Sequence, residues 1–143
     1  MGFFTDIFLG SAMNHQAREL TQFLRKCAKE ANINNLVSFL QSNNINYNDS
    51  SHKGDDEKTI SWTILIRREY WYLTATIDNS LVQAISAHPR SSDSPLNGIL
   101  ITYYPLGNDL YCSVHEFPND FTEQMCNKLE LYGATILSRG IRF

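Results

Sequence analysis

The recurrence of large apolar residues at every second position in the middle of the chain limits the fold more than any other feature. The segment 60–66 places isoleucines and Trp62 at every second position, and the segment 70–77 repeats the pattern around Trp71. A period of two is typical of strands with one buried face. Only three residues, Arg67 to Glu69, separate the two segments, so we predict an antiparallel hairpin. Trp62 and Trp71 are predicted to fill the core.

Further strands are predicted on both sides of this hairpin. The segments 98–104 and 109–117 form a second hairpin around a turn that contains Gly107 and Asn108. Residues 45–47 are predicted as a short edge strand. The segment 81–88 fits a strand or a helix, and we favour a strand. The polar segment 48–58 is predicted to be a solvated loop.

Helices are predicted at both ends of the chain. Apolar residues recur at spacings of three and four over 15–31, and a second, short helix is predicted over 35–41. A closing helix over 120–131 has Asp120 as its predicted N-cap and Gly133 just past its end. The tail 134–143 fits a short helix or a strand. The fold class is therefore α+β, with an antiparallel sheet of about five strands flanked by N-terminal and C-terminal helices.

The length of 143 residues predicts one domain. We assign it to residues 15–143 and treat residues 1–14 as a short apolar arm. Phe4 and Phe8 fall on one face of this arm, and Gly10-Ser11 is predicted to end its helix. The arm either folds onto the domain or touches a membrane or a partner, and its lack of Lys and Arg disfavours the membrane.

The charge and hydropathy of the chain limit the kinds of partner and the cellular compartment that we expect. The net charge is −3, the pI is about 5.7, and the 12 Lys and Arg residues are scattered. A dedicated nucleic-acid-binding protein is therefore disfavoured. No segment has the roughly 18 apolar residues of a membrane span, and the N-terminus lacks the basic start of a signal peptide. We expect a cytoplasmic protein with no membrane span.

Patterns for metals and cofactors are missing from the sequence. Cys27, Cys112 and Cys126 form no CxxC pair, and we expect them to be buried thiols in a reducing compartment. The four histidines show no metal-ligand spacing. The acidic loop that holds Asp55 and Asp56 does not match an EF-hand. We predict no metal and no cofactor.

No catalytic motif is present, so we expect a protein without enzymatic activity. Cys112 and His115 are three positions apart on a strand, which places them on opposite faces. A small enzyme that uses His115 with a carboxylate is the enzymatic alternative. It requires His115 to lie in a pocket beside an acid.

The surplus of aromatic residues points to a contact surface. Tyrosines on an exposed sheet face suit protein binding, because they offer a large contact area at low cost in conformational entropy. The alternative is that they stabilise the sheet as cross-strand pairs. The predicted partner-binding residues are Tyr70, Tyr72, Tyr103, Tyr104, Tyr111 and His115, together with Phe4 and Phe8 of the arm.

The predicted order of elements over about residues 15–135 resembles that of class I type III secretion chaperones and YbjN-like proteins. The resemblance implies a small acidic protein, usually dimeric, that binds an extended segment of a partner on its sheet and helix surface. A chaperone-like protein-binding module is thus the leading hypothesis, and it allows a homodimer. An immunity or antitoxin-like protein that neutralises a toxin by surface complementarity is the alternative.

Overall fold

The computed structural model describes residues 3–51 and 57–141, with the backbone alone for residues 3–8 and Ser51. The helices in these ranges are α1 (Phe3–Cys27), α2 (Ile33–Ser42) and α3 (Asp120–Leu131), with a 3-10 turn at Lys29–Ala31. The strands are β1 (Tyr47–Ser51), β2 (Glu57–Ile66), β3 (Glu69–Asp78), β4 (Leu81–Pro89), β5 (Ile99–Tyr104), β6 (Asp109–Val114) and β7 (Thr135–Arg139).

All seven strands form one sheet in the order β1-β2-β3-β4-β5-β6-β7. Every neighbouring pair is antiparallel except β6 and β7, which are parallel. The parallel pair needs a crossover connection, and α3 supplies it. The α+β class is confirmed, whereas the prediction of about five strands was too low.

The uncertain segment 81–88 is strand β4, as favoured from the sequence. Asn79 and Ser80 both have positive φ, which is the backbone of a tight hairpin turn. The chain therefore reverses at once and pairs with β3. Pro89 ends the strand without an N–H to donate, and β4 pairs with β5 only over Ile85–Ala87. The tail contributes the last strand, β7.

Helix α1 is longer at its start and shorter at its end than predicted. The break expected at Gly10-Ser11 is wrong, because the helix runs without interruption from Phe3. Gly10 faces α3, where a Cβ would lie 3.9 Å from Lys128 Cε. The helix ends at Cys27 rather than at residue 31, because Glu30 and Ala31 adopt left-handed φ.

Two further boundaries differ from the predictions. The loop expected over 48–58 is shorter, because β1 extends to Ser51 and pairs with the start of β2. Asp55 and Asp56 lie outside the described residues. The N-cap of α3 is Asn119 and not Asp120: its side chain accepts from the Thr122 N–H, and the Thr122 hydroxyl accepts from the Asn119 N–H at 2.8 Å. This capping box lies one residue earlier than predicted.

The core lies between the helices and one face of the sheet. Helices α1 and α3 pack side by side there, and Tyr132 at the end of α3 is held by two residues of α1. Its hydroxyl donates to Asn14 Oδ1 at 2.8 Å, and its carbonyl accepts from Arg25 Nη2 at 2.6 Å. Residues predicted as core and confirmed as buried are Trp62, Trp71, Cys27, Cys112 and Cys126.

Gln16 joins α1 to the central hairpin inside this core. Its amide nitrogen donates to the Ile66 carbonyl at 2.7 Å, and its amide oxygen accepts from Trp71 Nε1 at 3.0 Å. The Gln16 side chain thus satisfies a donor and an acceptor that lie out of contact with water. Its position fixes where α1 crosses the hairpin.

We expect the substitution Gln16→Leu to lower the free energy of unfolding by about 1–3 kcal/mol, because it leaves Trp71 Nε1 buried without an acceptor. Urea denaturation followed by circular dichroism measures the change. Gln22→Leu, at an exposed position of the same helix, should change stability little. The loss in the Gln16→Leu/Trp71→Phe double variant should be smaller than the sum of the two single losses, and additive losses would contradict this account.

Burial raises the pKa of the Cys27 thiol from 9.0 to about 12. The unfolded chain therefore ionises first as the pH rises, and the contribution of Cys27 to stability is complete below pH 9 and lost between pH 9 and 12. The expected slope is about 1.4 kcal/mol per pH unit. Cys27→Ala should show a shallower fall in unfolding free energy over pH 9–11, and parallel curves would contradict the prediction.

Candidate functional site

The second face of the sheet carries none of the described helices. Helix α1 contacts Trp71 through Gln16, and Cys126 of α3 is buried in the same core cluster as Cys112 of β6, so both helices lie on the core face. The alternate residues of β2 to β7 point the other way and are half-buried or exposed. We call this second surface the open face.

A row of hydroxyl side chains crosses the middle of the open face. Its members pair in register from strand to strand, and we name the set the hydroxyl row. It consists of Ser61, Thr74, Ser86, Thr102, Tyr111 and Thr135. Hydroxyls both donate and accept hydrogen bonds. The centre of the open face is therefore polar but carries no formal charge.

Four of the predicted tyrosines lie on the open face, in two groups. In the first group, Tyr72 stacks at an angle on His88, with ring centroids 5.5 Å apart. Tyr70 lies next along the same side of β3, with the Arg90 guanidinium 4.8 Å from its ring centre.

The second group is a pair at the far side of the sheet. Tyr104 and Tyr111 meet edge to face, with centroids 5.8 Å apart. They border a hollow of about 510 Å³ that Thr102, Asp109 and Leu137 complete. Tyr104 is exposed and Tyr111 half-buried, so this pair both supports the sheet and offers a contact surface.

Tyr103 does not belong with the other tyrosines. It faces the core, is 4% exposed, and donates its hydroxyl hydrogen bond to Asn108 Oδ1 at 2.9 Å. Burial raises the pKa of its phenol. Adjacent residues of a strand point to opposite faces, so Tyr103 and Tyr104 could not both be on the contact surface.

The remaining predicted site residues lie elsewhere. His115 is exposed just beyond the end of β6, and its Nε2 lies 3.4 Å from Ser113 Oγ. No described carboxylate is hydrogen-bonded to its ring, so the arrangement needed for the enzymatic alternative is not formed there. Phe4 and Phe8 lie in α1, but their side chains are outside what the structure describes.

Charges of opposite sign stand at the two ends of the strands. Glu57 pairs with Asp78 at one end, and Asp109 begins β6 at the same end. Three arginines stand at or beside the other end: Arg67 and Arg68 in the β2–β3 turn and Arg90 just after β4. The open face is therefore uncharged in the middle and carries opposite charges at its ends.

Groups that could do chemistry are sparse in the described ranges. Within them, no three His, Cys, Asp or Glu side chains are grouped as metal ligands. A hydrogen bond with Cys126 raises the pKa of the Cys112 thiol, and the same bond lowers that of Cys126. Both thiols are buried.

None of the helices, over the residues described, has the length and apolar character needed to cross a membrane.

Several features of the open face were not predicted from the sequence. The hydroxyl row depends on strand register, which a single sequence does not specify. The contact of the Arg90 guanidinium with the Tyr70 ring forms because β4 ends beside β3. The exclusion of Tyr103 could have been found, because the alternation Ile99, Ile101, Tyr103 already places it with the core residues.

Comparison of the chain with protein-family models, curated proteins and solved structures found no match.

We expect the open face to tolerate a charge that the core face cannot. Thr76→Lys, at an exposed position of β3, should change the free energy of unfolding by no more than about 0.5 kcal/mol. Ala75→Lys, one residue earlier and fully buried, places an unpaired charge in the core and should cost more than about 4 kcal/mol. Thermal and urea unfolding compare the two variants, and a similar loss in both would contradict an open second face.

Proposed function

We propose that this protein is a non-enzymatic protein-binding module that holds a partner on its open face. The observation that carries the proposal is that all described helices cover one face of the sheet while the other presents four tyrosines around the hydroxyl row. Tyrosine is enriched in binding surfaces because it combines an apolar ring with a hydrogen-bonding tip.

The dimensions of the open face suit a protein better than a small ligand. Six strands at a spacing of about 4.8 Å extend about 24 Å across the sheet, and six residues of strand extend about 20 Å along it. Small-molecule sites are usually concave and enclose most of their ligand. A broad face whose hollows, in the described part of the chain, lie towards its edges is the form of a protein contact surface.

Charge defines the chemistry of the expected partner. The middle of its surface should be uncharged, with hydrogen-bonding groups opposite the hydroxyl row. Basic groups should lie opposite Glu57, Asp78 and Asp109, and acidic groups opposite the arginines at the other end. Such end charges contribute more to orientation and association rate than to affinity.

A chaperone-like protein and a toxin-neutralising protein could both use this face. The division into a helix-covered and an uncovered face supports the proposed chaperone-like role. The observed order of elements differs from the order on which the resemblance rests. Four strands precede the turn-rich segment 90–98, and a seventh strand follows α3. The effect on the partner distinguishes the two roles: a chaperone keeps its partner soluble, and an immunity protein abolishes its partner's toxicity.

A matched pair of variants tests the proposal. Thr74→Glu/Thr102→Glu places two acidic groups on the hydroxyl row, and Ser11→Glu/Ser38→Glu places two on exposed helix positions. A partner captured by the unmodified chain in its source cell is purified, and its affinity is measured by calorimetry. We expect at least a tenfold loss, or about 1.4 kcal/mol, with the first variant alone. Equal affinity of both variants would overturn the open face as the binding surface.

A further inference from the structure

A groove lies along one edge of the sheet, beside the end of β2. Its volume is about 910 Å³, and it runs between α1, the turn after α2 and the last residues of β2. Its apolar wall includes Phe23, Phe39, Trp62 and Ile64. The rings of Phe23 and Phe39 meet edge to face at 5.4 Å, so this wall is built by packed aromatic residues.

The groove exists because β1 covers only part of β2. The pairing of β1 with β2 extends from Lys58 to Trp62, and no described strand pairs with the outer edge of Thr63–Ile66. The chain before β1 turns away into α2, where the Ile45 N–H donates to the Leu40 carbonyl at 2.9 Å. The end of β2 is therefore an edge open to another strand.

The main-chain groups of Leu65 point outwards at this edge. The Arg90 N–H donates to the Tyr70 carbonyl at 2.8 Å, so the main chain of Tyr70 points towards β4. Tyr70 pairs with Leu65, which makes the two a non-hydrogen-bonded pair of the β2–β3 ladder. The N–H and carbonyl of Leu65 consequently point away from β3, into the position that an added strand would occupy.

An unpaired donor stands in the same wall. Trp62 is 3% exposed, and its Nε1 is the one buried side-chain nitrogen or oxygen in the described residues without a hydrogen-bond partner. Trp71 Nε1, by contrast, donates to Gln16. Buried donors in folded proteins are nearly always paired. The Trp62 side chain lines the groove, so an occupant that packs on it changes the surroundings of this unpaired donor.

Positive charge flanks the groove. Lys26 lines it, and Arg67 and Arg68 follow directly after Ile66. Within the described ranges none of these three cations is in an ion pair, whereas Glu19, the acid among the lining residues, lies 4.0 Å from Arg18. The charge therefore favours an acidic occupant. A second copy of this chain is disfavoured, because its matching edge carries the same cations.

We propose that this groove binds an extended acidic segment of a partner protein, which adds to the sheet as a strand beside Thr63–Ile66. The main chain of the segment bonds with the outward groups of Leu65, and its alternate side chains pack on Phe23 and Ile64. The groove meets the open face at Ser61 and Tyr72, but the outward main chain of Leu65 lies away from Thr74, Thr102 and the Tyr104–Tyr111 pair. The groove proposal can therefore be right or wrong independently of the proposed function.

The substitution Leu65→Pro blocks the added strand selectively. Proline removes the outward N–H of residue 65 but no bond to β3, and proline is tolerated on edge strands whose N–H faces solvent. Leu65→Val is the matched control, because it keeps the N–H and an apolar side chain. Lys26→Glu is a second variant that leaves the strand backbone unchanged, so the test does not depend on the folding of Leu65→Pro.

Twelve-residue peptides selected from a random display library on the full chain serve as probes. We expect enriched peptides to be acidic with alternating apolar residues. They should bind the unmodified chain and Leu65→Val alike, and at least tenfold more weakly to Leu65→Pro and Lys26→Glu. The indole N–H resonance of Trp62, assigned with Trp62→Phe, should shift on binding while that of Trp71 stays in place.

Any of four results would overturn the proposal. The first is that the unmodified chain enriches no peptides beyond those enriched on Leu65→Pro, and the second is equal binding to all variants. The third is a concentration-dependent dimer of the chain that Leu65→Pro abolishes, which would assign the edge to a second copy. The fourth is binding that survives Leu65→Pro but is lost in Thr74→Glu/Thr102→Glu, which would leave the open face as the binding surface and reject the groove.

Discussion

The packing of α1 across one face of the sheet is the contact on which the rest of the structure depends. Gln16 fixes this packing by joining the helix to both strands of the central hairpin, through Trp71 Nε1 and the Ile66 carbonyl. Asn14 and Arg25 then hold the end of α3 beside it. Since both helices lie on one side, the opposite face of six strands is left without a helix.

The open face and the edge groove are two consequences of the same arrangement. A sheet with one covered face has a second face available for contacts, and a sheet that does not close has edges. The short strand β1 covers only the first part of β2, which leaves the edge open next to Phe23 and Trp62. The two proposed contacts therefore need no specialised loop, and they adjoin each other at Ser61 and Tyr72.

Much of the fold could be predicted from the sequence, because local patterns carry it. Alternation around Trp62 and Trp71 predicted the central hairpin and its core face, and helical spacing predicted α2 and α3 within a few residues. The predictions failed where distant contacts override local signals. Gly10 ends no helix because α1 continues against α3, and β1 extends through polar residues because β2 pairs with it.

The candidate site was predicted less completely than the fold. Tyr70, Tyr72, Tyr104 and Tyr111 lie on one face of the sheet in two groups, whereas Tyr103 lies in the core, and their role in partner binding stays a prediction. The hydroxyl row and the Trp62 wall were not anticipated, since strand order and register decide which residues become neighbours.

By itself, the sequence determined which residues of each strand share a face, because side chains alternate along a strand whatever the strand pairs with. Only the tertiary structure decided which face the helices cover, which strand forms the edge and which polar groups meet. Those outcomes depend on contacts between residues far apart in the chain, such as Gln16 with Trp71, and local periodicity contains no information about them.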